Sequence, residues 1–195
     1  MKYWAQHFLV VFFIFFSGCA HQISFHEIEY SIETQKKDAA LTVVIDSYTL
    51  KKEVNIKSFM TGIAHNWNAQ PGLMVKQVAD IEFPQMSKIY EFLEVFQESQ
   101  KGNSHITIEI NVPRYEFANF RATFTVHAKA YGEDKIVLFD NSYTEVGMSQ
   151  GAKMFWGGAF GMKSAIRQSS FDAVKKIFSS LRQDLTKVLL SNEGG

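Results

Sequence analysis

Residues 105–112 read HITIEINV, and residues 121–130 read RATFTVHAKA. In the first stretch Ile106, Ile108, Ile110 and Val112 are apolar, while His105, Thr107, Glu109 and Asn111 are polar. In the second, Ala122, Phe124, Val126, Ala128 and Ala130 alternate with Arg121, Thr123, Thr125, His127 and Lys129. Successive side chains of a strand point to opposite sides, so a period of two over this length means strands with one dry face and one wet face. Tyr131-Gly132-Glu133-Asp134 reads as a turn, and Lys135 to Val146 as a third strand. The three predict an antiparallel meander.

A meander with one apolar face needs a cover. Phe171, Val174, Ile177, Phe178, Leu181, Leu185, Val188 and Leu189 form a helical stripe that supplies one. Ser169, with Asp172 three residues on, reads as its capping box, Asp standing in for the usual Glu. Upstream, Leu41 to Leu50 is apolar and β-branched, as a buried strand is. Ile56, Phe59, Met60, Ile63, Ala64 and Trp67 recur at helical spacing, with Gly62 inside the stretch costing about 1 kcal/mol relative to Ala. Asn68 to Gly72 reads as the turn that ends this helix. Leu73 to Phe83 then reads as a strand. Ser87 to Gln100 reads as a helix with Ile89, Leu93 and Phe96 inward and Gly102 as its stop. The predicted order is β-α-β-α-β-β-β-α. It specifies an α+β fold, a mixed sheet holding the meander, with helices on one face.

The N-terminus has a different character. Met1-Lys2 carries positive charge, and Phe8 to Phe16, FLVVFFIFF, is an unbroken apolar run. Nine helical residues cover roughly 14 Å, about half a bilayer core, which fits a signal-peptide h-region rather than a membrane span. Phe16-Ser17-Gly18-Cys19 follows at once. It resembles the lipobox of bacterial lipoproteins, with Phe16 where Leu is usual. The resemblance implies cleavage before Cys19, acylation of its thiol and a membrane anchor. Two or more acyl chains anchor a protein stably, whereas one does so only marginally. Ala20, in place of an Asp that retains such proteins in the inner membrane, implies the outer membrane. Cys19 is the only cysteine, so no intramolecular disulfide is possible. The chain therefore divides into a signal peptide (1–18), a lipidated N-terminus and polar tether (19–39), one periplasmic domain (40–191) and a short tail (192–195). Within the tether, Ile28, Tyr30 and Ile32 alternate and are candidates for an edge strand.

In element order, residues 40–190 are similar to several small envelope lipoproteins. These are the YajG-type lipoproteins, the ABC-transport auxiliary lipoproteins, and the domain shared by CsgG and penicillin-binding-protein activators. The resemblance rests on the lipobox, the alternating strands through Val146 and the closing helix FDAVKKIFSSLRQDL. It implies a non-enzymatic accessory in envelope assembly or transport, with an envelope protein as partner.

The remaining signals are weaker. Twenty basic and twenty acidic residues cancel, so no global field recruits nucleic acid. Gly147-Met148-Ser149-Gln150-Gly151 has the spacing of a serine-hydrolase elbow, in which the catalytic His follows the Ser in sequence. All six histidines precede Ser149, which leaves His127 as the candidate base on another fold. The plainer reading is a glycine-rich turn leaving the last strand. No histidine spacing assembles the three or four ligands a zinc site needs. There is no phosphate loop or dinucleotide fingerprint, and no cofactor is expected. Residues 154–162, MFWGGAFGM, place Phe155, Trp156 and Phe160 among glycines. They read either as an apolar loop touching a membrane or partner, or as aromatics folded onto the core. Basic residues between Lys163 and Leu190 and acidic ones between Asp80 and Glu98 read as two solvated, oppositely charged helix faces lying side by side, or as a basic face for anionic lipid or an acidic partner. A lipid-handling domain is a second functional reading, and it requires a cavity between sheet and helices beside Phe124 and Phe178.

Overall fold

A computed structural model of the chain describes residues 19–25, 28–57, 65–96, 105–132 and 135–192, without the side chains of 19–20, 65, 152–160 and 191–192. The elements are β1 (Cys19–Ile23), β2 (Lys37–Val44), α1 (Ser47–Lys51), β3 (Val54–Lys57), β4 (His65–Ala69), α2 (Pro71–Met86), β5 (Ser87–Leu93), β6 (His105–Ala118), β7 (Arg121–Tyr131), β8 (Val137–Val146) and α3 (Gly151–Asn192). The fold is α+β. A five-stranded sheet runs β5-β2-β6-β7-β8 and a three-stranded sheet runs β1-β4-β3.

The larger sheet is mixed. β2 lies parallel to both β5 and β6, and β6-β7-β8 is the expected antiparallel meander. Val43, Ile108, Ala130 and Phe139 are register partners across four strands. The residues of this row face α2 and α3. Ile106, Ile108, Ile110, Ala122, Phe124, Val126, Ala128 and Ala130 are all buried, as their alternation requires. Pro113, which lacks a ladder donor, sits where the β6–β7 register shifts. The β6–β7 turn holds Asn119 and Phe120 at positive φ, the geometry a two-residue hairpin loop needs. Phe120 bears that conformation where its carbonyl accepts from Gln150 N–H (3.1 Å) and its ring lies over Gly151, the first residue of α3.

Between residues 41 and 100 the elements differ from those expected, for identifiable reasons. The strand beginning at Leu41 stops at Val44, because Asp46 caps α1: Thr49 N–H donates to its Oδ1 (2.9 Å) and Thr49 Oγ to its Oδ2 (2.7 Å). The expected helix at 56–67 is flanked instead by β3 and β4, in which Ile56 pairs with Trp67. Phe59, Met60, Ile63 and Ala64 lie outside the described residues. Pro71-Gly72 opens a helix rather than closing one, since Pro suits the first helical turn. The expected strand at 73–83 is thus α2, and it buries Met74, Val75, Val78, Ala79, Glu82, Phe83 and Met86 at helical spacing. The expected helix from Ser87 is the edge strand β5, leaving Ile89 exposed rather than inward.

The closing stripe is helical, with Val174, Ile177, Phe178, Leu181, Leu185 and Leu189 buried. Ser169 and Asp172 do not cap it, because α3 begins at Gly151. Both dock the chain that precedes the helix: Ser169 Oγ accepts from Ala122 N–H (2.9 Å) and Asp172 from Met148 N–H (2.8 Å). α3 cannot be straight. Gly151 and Ser169 would then stand about 27 Å apart. Yet Gly147 lies against Ser169 and is only four residues, at most about 14 Å, from Gly151. The bend therefore lies between Gly151 and Ser169, a stretch that carries Gly157, Gly158 and Gly161.

Polar side chains tie the layers together. Tyr90 donates to Asp80 of α2 (2.6 Å), and Tyr143 to Asp184 of α3 (2.8 Å). Burial first, and then these carboxylates, raise both phenols above their ordinary value; burial does the same for Tyr115 and, with Glu82, for Tyr30. A raised folded pKa means the stabilisation is complete below the unfolded value, about 10, and is lost as pH rises past it. In an alkaline titration followed by tyrosinate absorbance, these four of the seven tyrosines should ionise only as the fold is lost. Reversible ionisation of all seven near pH 10 with intact circular dichroism would contradict this.

Candidate anchoring and ligand site

Cys19 is the first residue of β1 and pairs with His65 of β4. The expected polar tether is therefore not free chain. Ile23 and Phe25 are buried, and Phe25 with residues 28–32 forms a strap along α2. Phe25 N–H donates to Gln77 (2.9 Å), Tyr30 OH to Glu82 (2.7 Å) and Ile32 N–H to Gln85 (3.0 Å). No strand forms at Ile28, Tyr30 and Ile32; the strand in this segment is β1. The strap also reaches α3. The Phe25 and Tyr30 rings meet Phe171 edge-on at 5.4 and 5.5 Å, and Lys175 Nζ stands 4.8 Å over Tyr30.

Beneath the strap, Glu82 is fully buried and pairs with Arg182 of α3, whose side chain is 25% exposed. Among the described residues this internal ion pair joins the acidic and basic segments; Glu91 of β5 and Glu94 after it accept instead from Thr42 (3.5 Å) and Ser47, so the acidic segment is not one helix face. Further along, Ile28 of the strap and Lys163, Ser164, Arg167, Gln168 and Phe171 of α3 line a groove of about 420 Å³. Nothing in the sequence pattern marked it, since one wall comes from a segment read as tether.

The other candidate residues are not assembled into a site. Ser149 is exposed in the turn between β8 and α3. Gln150 N–H bonds Phe120 O, so this turn sits at the Phe120 end of β7. His127 is seven residues along that strand, roughly 20 Å away. His127 instead contacts Asp140 at 2.6 Å, and Lys129 joins the same carboxylate at 3.1 Å. Hydrogen bonds from His127 and then Lys129 hold Asp140 below the usual carboxylate range. Among the described residues no group of three or more His, Cys, Asp or Glu converges as for a metal. Residues 154–162 are helical, which corrects the loop reading; the side chains of Phe155, Trp156 and Phe160 lie outside the described set. Phe124 and Phe178 are both fully buried, packed against Tyr115 (4.6 Å) and Phe83 (5.5 Å) respectively. No described helix is long and apolar enough to cross a membrane.

No family model matches the chain, and no curated protein matches it significantly. Solved structures similar to it include the following three. Protein XCC0632 from Xanthomonas campestris, described as DUF330, is 15% identical with a TM-score of 0.43, over 86% of this chain and 98% of its own. Hypothetical protein CT253 from Chlamydia trachomatis is 5% identical with a TM-score of 0.41, over 77% and 99%. An uncharacterized protein is 8% identical with a TM-score of 0.41, over 84% and 99%.

Proposed function

We propose that the chain is a lipoprotein held in the outer membrane by acyl chains on Cys19. Its α+β domain faces the periplasm and acts as a non-enzymatic accessory that binds other envelope components during assembly or transport. The observation that carries this reading is the apolar run Phe8 to Phe16 followed at once by Ser17-Gly18-Cys19. A nine-residue h-region with small residues before a lone cysteine is what lipoprotein processing requires. The strap adds support. An acyl group on Cys19 would sit at the start of β1, and the following residues are bonded to both α2 and α3. The domain would then ride close against the bilayer instead of on a long leash.

Expression of Cys19→Ser with labelled palmitate should give an uncleaved or unlipidated product that carries no label. Undiminished labelling of that variant would remove the anchor from the reading. Affinity capture with crosslinking in envelope extracts tests the accessory role, and the expected product is a defined adduct with an envelope protein.

A further inference from the structure

We infer that residues 152–162, the N-terminal arm of α3, lie in the interface of the bilayer. From Met154 to Met162 the sequence MFWGGAFGM carries no charged side chain, and the Trp156 N–H is its one polar side-chain group. The backbone here is helical. Whichever way such a helix is turned, the side away from the domain is apolar. Gly161 and Met162 are buried, so the far end of the arm is held on the domain. Both ends of the bent stretch are fastened at one pole of the large sheet, the end with the β6–β7 turn. There Gln150 N–H bonds Phe120 O, and Ser169 Oγ accepts from Ala122 N–H. Val146 and Met148 flank Gly147 at the same pole and are 43% and 60% exposed, so apolar surface continues beside the arm. β1 enters at this pole too. Ile23 pairs with Ala69, just before Pro71, and Pro71 shares a small cleft with Val112 and Tyr115 of β6. Cys19, at the other end of this short strand, is therefore within roughly 13 Å of Ile23.

A bilayer fits this pole better than a protein does. Nine helical residues cover roughly 14 Å, too little to cross the hydrocarbon, so the arm lies in the interface rather than spanning it. Its helical backbone bonds internally, as a lipid-exposed segment must. Trp favours the membrane–water boundary. Lys153 and Lys163 bracket the run, and long cationic side chains reach from such a depth to the phosphates. A protein interface carries about one hydrogen bond per 100–200 Å², and the side chains of this stretch offer only the Trp156 N–H. That acyl chains bring the pole to a membrane rests on the proposed anchor at Cys19; the composition and placement of the arm do not.

The test uses the full chain reconstituted in vesicles of phosphatidylethanolamine and phosphatidylglycerol. Phe155→Cys, Phe160→Cys and, on the exposed part of β8, Ser142→Cys each receive a fluorophore, and quenching by nitroxide-bearing acyl chains reports its depth. Any label on Cys19 is scored by peptide mapping. The probes at 155 and 160 should lie about 5–10 Å into the boundary of headgroups and acyl chains, and the probe at 142 outside it. Trp156→Asp should withdraw the probe at 160 from quenching and leave the melting temperature unchanged, since a charge is costly in lipid and harmless in water. A benzoylphenylalanine at position 156 should capture lipid in cells. The proposal is overturned if 155 and 160 are quenched no more than 142, if Trp156→Asp lowers the melting temperature as a core substitution would, or if position 156 captures a protein instead. Palmitate reports the anchor and quenching reports the arm, so an anchored chain with an unquenched arm and a quenched arm without palmitate are distinct results.

Discussion

Arg182→Met is expected to destabilise the domain by about 3–5 kcal/mol, the usual penalty for leaving a buried charge without its partner. Glu82 lies on the inward face of α2 with no exposed surface, and its carboxylate accepts from Arg182 on one oxygen and from Tyr30 OH (2.7 Å) on the other. Removing the guanidinium leaves one neutral hydrogen bond to hold a desolvated anion. The double variant Glu82→Met/Arg182→Met should recover most of the loss, because apolar residues of similar volume replace a buried ion pair at little cost. Tyr30→Phe should cost about 1.5–3 kcal/mol, the range for a hydrogen bond to a charged group. Urea denaturation of the three variants measures these differences. A loss below about 1 kcal/mol for Arg182→Met, the range of exposed pairs, would mean that water reaches Glu82.

The same pair shows why part of the fold was hidden in the sequence. A charged residue within an apolar stripe obscures its period, and Glu82 falls inside the α2 stripe beside Phe83. Pro71, the best start signal of that helix, follows a run that itself has helical spacing, so it reads as an end. Ile56 and Trp67 meet as register partners across two strands, a contact that sequence spacing alone does not distinguish from a helical face. Ile89 and Leu93 of β5 and Phe96 beyond it stand at i, i+4 and i+7, which mimics a helix; the edge position leaves Ile89 exposed and removes the alternation that marks a strand. The meander was legible because each strand has one wet and one dry face. The closing helix was legible because its stripe continues for five turns.

The candidate site divides in the same way. Cys19 was marked by its neighbours in sequence, whereas the groove depends on a strap fixed by Gln77, Glu82 and Gln85, side chains some fifty residues away. Polar composition makes such a segment look like a tether, because its affinity for the domain resides in backbone N–H groups and a few aromatic contacts. Ser169 and Asp172 taught the converse. Their spacing is that of a cap, but the groups they satisfy belong to β7 and to the turn at Met148.

That turn carries the second large effect. Gly147→Ala should cost at least about 3 kcal/mol, the upper part of the usual overpacking range. A Cβ at residue 147 would lie 1.9 Å from the Ser169 carbonyl oxygen and 2.5 Å from its Oγ. The first is a backbone atom in the middle of α3, so the helix itself must move off β7 and β8. Any such movement strains the bonds from Ala122 N–H to Ser169, from Met148 N–H to Asp172, and from Gly147 N–H to Ala122 O (2.8 Å). For a chain of this size the expected fall in melting temperature is roughly 6–12 °C. Ser149→Ala, two residues away on an exposed side chain, should stay within about 0.5 kcal/mol of the parent. It should leave function intact, and a fluorophosphonate probe should not label Ser149. The first glycine of the G-x-S-x-G spacing is thus required by helix–sheet contact. A Gly147→Ala variant that melts within a degree or two of the parent would refute the packing argument. Stoichiometric probe labelling abolished by Ser149→Ala would restore the hydrolase.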